Sequence, residues 1–87
     1  GADKASVNFV TNHQKGSLAK VLGKIADADI NLSKLQSMPI PGSNFKYSFH
    51  ADMEFDSTGQ FNALIDNLKS CTEELTVLGV YKNGKLN

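Results

Sequence analysis

The sequence predicts an α+β sandwich in which one four-stranded antiparallel sheet carries two helices on a single face. Three observations predict it. Residues 45–55, FKYSFHADMEF, alternate strictly between apolar and polar, the period-two signature of a strand buried on one side only. Two other segments, Leu18-Val21-Leu22-Ile25 and Phe61-Leu64-Ile65-Leu68, repeat at i, i+3, i+4 and i+7, the spacing of amphipathic helices. The order along the chain then reads strand, helix, strand, strand, helix, strand.

Each element has its own warrant. Val7 and Phe9 alternate with Ser6 and Asn8 in a first strand over 5–11, which runs into polar Asn12 to Lys15 and then Gly16. The first helix begins after Gly16 or Ser17 as N-cap and stops near Asp29, a residue type that tolerates left-handed backbone. The second strand covers about Ile30 to Met38. Leu32 and Leu35 are apolar at odd spacing, so a bulge is expected between them, as edges often have. Pro39, Pro41 and Gly42 should end its pairing and lead into the strand of 45–55. Ser57 and Gln60 have capping-box spacing before the second helix. Cys71 continues that helix's apolar register and is expected in the core, and Leu75 to Tyr81 closes the chain as a β-rich strand.

Two right-handed strand-helix-strand units in this order make the βαββαβ, ferredoxin-like two-layer sandwich. The expected spatial order is 4-1-3-2, which leaves the second and fourth strands as edges open to pairing with another copy.

Composition narrows the function. Eighty-seven residues fit one domain, and the formal charge balances at zero with no arginine, so no general attraction to nucleic acid or membrane is expected. No apolar run approaches membrane-span length, and one cysteine allows no internal disulfide, which points to the cytoplasm. Residues 1–4 read as an expression remnant and 83–87 as a tail, the chain being a piece of something longer.

Without arginine a phosphoryl-cradling enzyme is disfavoured, and one cysteine makes no paired-thiolate metal site. No cofactor or metal is expected. The aromatics of 45–49 fall on the face predicted to be core, against an RNA-binding sheet. His50 falls on the polar face, where a hydrogen-bonded histidine is expected rather than a ligand or base. His13 lies before a helix N-terminus, whose free N–H groups and dipole can receive a carboxylate.

That loop also carries a resemblance. His13-Gln14-Lys15-Gly16-Ser17-Leu18 is similar to the Asn-x-Pro-Gly-Ala-Leu segment of ACT domains, small-molecule-sensing modules of amino-acid metabolism. Leu35-Gln36-Ser37-Met38-Pro39 resembles a Glu-Ser-Arg-Pro motif, and Phe45-Lys46-Tyr47-Ser48-Phe49 with Asp52 resembles Trp-Glu-Tyr-x-Phe and its following Asp. With Ile30-Asn31-Leu32 and Val77 to Tyr81, the pattern over 5–82 is similar to the C-terminal regulatory domain of prephenate dehydratase.

The resemblance implies an L-phenylalanine site in the seam of a homodimer built on the first helix and second strand. Its residues fall on His13, Gln14, Lys15, Gly16, Ser17, Leu18, Gln36, Ser37, Met38 and Pro39. Gln36 and Met38 stand where the motif has Glu and Arg, and Lys15 and Ser17 where it has Pro and Ala, so those motif charges are absent. The dehydratase's catalytic domain is not in this chain, and no catalytic constellation replaces it. The polypeptide is therefore expected to be regulatory and not an enzyme, with a ligand-free dimerisation module and a single-stranded RNA binder as alternatives.

Overall fold

The computed structural model describes residues 2–12, 16–43 and 46–82. In chain order they form β1 (Lys4–Asn12), α1 (Ser17–Asp27), β2 (Asn31–Pro39), β3 (Lys46–Glu54), α2 (Thr58–Lys69) and β4 (Glu74–Tyr81). The sheet order is β2-β3-β1-β4, with every pair antiparallel. This is the expected 4-1-3-2 arrangement, with β2 and β4 at the edges.

The alternation in β3 sets the layers. Phe49, Ala51 and Met53 are buried together with Ala5, Val7 and Phe9 of β1, and the helices close over them with Val21, Ile25, Phe61, Leu64 and Leu68. Rings stack within this layer: Phe9 on Phe49 at 5.1 Å and Phe55 on Phe61 at 4.9 Å. The described aromatics of β3 therefore face the helices, away from the open side of the sheet. Phe45 lies outside the described residues.

The bulge in β2 falls where expected. Leu32 pairs with Met53 and Lys34 with Asp52, so Ser33 is the extra residue. The shift places Leu32 and Leu35 on the same, helix-covered face, where both pack against the core. Pairing runs one residue further than predicted, because Pro39 still stands opposite Tyr47. Ile40 donates its N–H to Lys46 across the pair, so by alternation the nitrogen of Pro39 points away from β3, where a missing donor breaks no ladder bond.

α1 ends in a Schellman turn. The N–H of Asp29 reaches Ala26 O, that of Ile30 reaches Ile25 O, and Asp29 takes the left-handed φ of 61°. Ile25 and Ile30 are both buried, the hydrophobic contact that accompanies this motif. Gln60 reinforces the turn from the other helix: its Nε2 donates to Ala28 O at 2.7 Å and Asp29 O at 3.0 Å. Its Oε1 accepts from the N–H of Asp56 at 2.8 Å, while Ser57 Oγ accepts from the N–H of Gln60. The capping box thus closes one residue earlier than its usual partner, and the same side chain ties α2's start to α1's end.

Cys71 departs from expectation. α2 stops at Lys69, so Cys71 lies beyond the helix, half-buried against the core, with its thiol 3.5 Å from Leu68 O. Apolar spacing alone does not show where the last turn unwinds.

Candidate functional site

Gly16 is the conformational key of the loop entering α1. It caps the helix with φ 87° and ψ −5°, in the left-handed region, and as a glycine it supplies no side-chain cap of its own. Its own carbonyl accepts the first helical bond, from Lys20 at 2.9 Å. No acidic residue lies in that turn, so the turn itself carries no charge that offsets the positive end of the helix dipole. A β-carbon on Gly16 would meet nothing within 4 Å among the described residues. A helix N-terminus entered through a glycine can receive the carboxylate of a small molecule.

Register decides which predicted strand residues share that space. Ser37 pairs with Phe49 and Pro39 with Tyr47, whereas Gln36 pairs with His50 and Met38 with Ser48. Phe49 is a core residue and His50 is not, so Ser37 and Pro39 direct side chains to the helix-covered face. Gln36 and Met38 project from the opposite, open face. Gly16, Ser17, Leu18, Ser37 and Pro39 are thus brought to one side of the sheet, from which the side chains of Gln36 and Met38 are turned away. His13, Gln14 and Lys15 lie outside the described residues.

Two residues not assigned to the site from sequence stand in the same row. Tyr47 is opposite both Pro39 and Thr11, at the end of the sheet where β1 hands over to α1. Thr11 is 3% exposed. Sequence reading takes Tyr47 as ordinary core, because alternation reports which face a residue is on and not whether the covering layer reaches it. The structure leaves Tyr47 only half-buried.

The open face carries a separate polar network. Ser6 Oγ donates to Asp52 Oδ1 at 2.7 Å, His50 Nε2 is 2.9 Å from the same oxygen, and His50 Nδ1 is 3.0 Å from Asn8 Oδ1. Tyr81 OH lies 3.3 Å from Ser6 Oγ. The residue types match a hydrolytic triad but the order does not. Asp52 stands between Ser6 and His50, so the hydroxyl gives its hydrogen bond to a carboxylate and touches no base. The Ser6 hydroxyl is the main reason the Asp52 carboxyl is held below its ordinary pKa; burial opposes this, and His50 and Lys34 add to it.

Glu54 is likewise lowered, by Asn31 first and then Lys4, which contact its two oxygens at 2.8 and 3.3 Å from the strands on either side. Among the described residues no cluster of His, Cys, Asp or Glu could hold a metal ion, and no helix is long and apolar enough to cross a membrane.

Strand order and helix placement are those of a ferredoxin-like, ACT-like domain. The fold matches that of the ACT domain of GTP pyrophosphokinase from Chlorobium tepidum, with TM-score 0.74 over 90% of this chain and 100% of that one, at 15% identity. In sequence the chain is similar to prephenate dehydratases. It is 32% identical over 87 residues to a bifunctional chorismate mutase/prephenate dehydratase of Aquifex aeolicus, covering 99% of this chain and 24% of that protein. To a bifunctional N-acyl-homoserine lactone acylase/prephenate dehydratase of Komagataeibacter europaeus it is 34% identical over 74 residues, 84% of this chain and 26% of that protein.

The structure of a prephenate dehydratase from Arthrobacter aurescens in complex with L-Phe matches with TM-score 0.77 and 26% identity, covering 94% of this chain and 28% of that one. No family model matches the sequence. The chain is an ACT-like domain resembling the regulatory domain of prephenate dehydratases, and it spans about a quarter of the length of the curated relatives it matches.

Proposed function

We propose that this chain is a non-catalytic amino-acid sensor that binds L-phenylalanine in the seam of a symmetric dimer. The observation that carries the reading is the α1 entry: a left-handed glycine cap with room around its α-carbon, and no acidic residue in the first turn. A carboxylate fits there, held by backbone N–H groups, and the glycine lets it approach. The Arthrobacter relative bound to L-Phe supports this choice of amino acid.

The dimer pairs two β2 edges about a twofold axis. The edge leaves backbone groups at Leu35 and Ser37 turned outward, and Met38, 56% exposed, needs cover. Each ligand then rests on the Gly16 turn of one copy and the Gln36 to Pro39 segment of the other. The role of the chain is allosteric: the ligand favours the dimer by mass action, and a joined catalytic unit reads the change.

A thermal-shift panel of the twenty amino acids tests the binding. At 100 times its dissociation constant a ligand adds about 2.7 kcal/mol, a shift of several degrees in a domain of this size. Sedimentation at several concentrations, with and without phenylalanine, tests the seam. A dimer that responds to no amino acid supports a plain dimerisation module instead, and a monomer that ignores phenylalanine defeats the reading.

A further inference from the structure

We infer that the bulge at Leu78 is what keeps the β4 edge from pairing with a second copy of this chain, so that of the two sheet edges only β2 is free to do so. The inference concerns self-association alone and does not depend on a ligand.

β4 has the composition of a strand that pairs readily. From Leu75 to Tyr81 it contains no charged residue and no proline, it lies at the edge of the sheet, and Val77, Leu78 and Val80 are 40%, 53% and 44% exposed. An uncharged edge of β-forming residues with apolar side chains in view is a ready template for another strand.

The bulge sits in the middle of that strand. Ser6 pairs with Gly79 and Val7 with Val77, so Leu78 is the extra residue. Val77 and Val80 stand opposite Val7 and Ala5, which are core residues, whereas Thr76 and Gly79 stand opposite Asn8 and Ser6 of the open face. Val77 and Val80 thus share a face, although a regular strand would part them.

Twofold symmetry turns this into an obstacle. When two copies of one strand pair antiparallel about a twofold axis normal to the sheet, each residue and its opposite number lie equally far along the chain from the residue on the axis. Opposite residues must also point to the same face. With Leu78 on the axis, Val77 meets Gly79 of the second copy, one directed to the helix side and the other to the open side. Every pair that spans Leu78 has the same conflict, so pairing can use Glu74–Val77 or Gly79–Tyr81 but not both. β2 has no such interruption. Its extra residue, Ser33, lies near one end, and within Lys34–Pro39 a twofold at Gln36 sets Leu35 opposite Ser37, both on the helix-covered face.

Deletion of Leu78 tests this. It takes out an exposed residue, keeps the partners that β1 and β4 now have, and restores alternation. About an axis at Val77, Leu75 then meets Val80 and Thr76 meets Gly79, each pair on a common face. In sedimentation at several protein concentrations the deletion variant, shown to be folded by circular dichroism, should form species larger than any the unmodified chain forms. Adding Val77→Lys to the deletion should abolish them, because two lysines then face each other across the axis. Leu78→Lys, which keeps the bulge, should leave the association of the otherwise unmodified chain unchanged.

A folded deletion variant that associates no further than the unmodified chain overturns the inference. Larger species that persist with Val77→Lys arise at another surface and overturn it too. So does a loss of association on Leu78→Lys, which would mean that β4 already joins copies; that arm decides the matter by itself if the deletion variant does not fold.

Discussion

Gly16 and Gly23 are two glycines on one helix for which the structure requires opposite outcomes of the same substitution. At Gly16 an added β-carbon meets nothing within 4 Å, but φ is 87°. The cost of Gly16→Ala is therefore purely conformational, about 1–2 kcal/mol for a β-carbon on left-handed backbone. At Gly23, exposed in the middle of α1, a β-carbon also meets open space and the backbone is helical. Gly23→Ala should stabilise by about 0.5–1 kcal/mol through helix propensity.

One kcal/mol moves the midpoint of a domain this size by roughly 4–8 °C. Gly16→Ala should thus lower Tm by roughly 4–16 °C and Gly23→Ala raise it by roughly 2–8 °C. Gly16→Asn should fall between Gly16→Ala and the parent, because asparagine tolerates the left-handed region. Thermal unfolding followed by circular dichroism, with urea titration as a check, reads all three. If the two alanine variants shift in the same direction, strain at the α1 entry is not what holds glycine there.

Three further outcomes follow from particular contacts. Gln60→Ala removes hydrogen bonds to Asp56, Ala28 and Asp29 and should cost about 1–3 kcal/mol; amide exchange should quicken first at Asp29 and Ile30, where the α1 exit loses its clasp. Phe9→Ala empties a 1%-exposed site in the stacked core and should cost about 3–5 kcal/mol by urea unfolding. Asp52 and Glu54 have lowered pKa values in the folded protein, so their contribution is fully present above the ordinary carboxylate range. It is lost as pH falls through the lowered values, from about pH 4 downward. Ser6→Ala removes the largest cause at Asp52 and should flatten the acid limb of the stability curve, whereas an unchanged limb would assign the acid sensitivity elsewhere.

The sheet and its layers were legible in the chain because side-chain periodicity is a local consequence of backbone geometry. Phe49, Ala51 and Met53 fall on one face of β3 whatever surrounds them, and Leu18 to Ile25 make one stripe on α1. Even the bulge could be read, since Leu32 and Leu35 can share a face only if one residue is skipped. Left-handed backbone at Asp29 was readable for the same reason, a residue type suited to a helix exit.

What tertiary structure decided is how far each face is covered and what meets across strands. Alternation assigns Tyr47 to the core face, but only the reach of the helix layer leaves it half-exposed beside Pro39 and Thr11. Motif likeness groups Gln36 with Ser37, yet the pleat sends their side chains to opposite sides of the sheet, and only pairing to β3 says which goes where. The helical register carried Cys71 inward, but α2 ended before reaching it. The network of Ser6, Asp52, His50 and Asn8 joins residues far apart in the chain through the register of β1 on β3. Periodicity encodes direction relative to a single strand or helix; coverage and cross-strand company depend on partners that only the folded chain assembles.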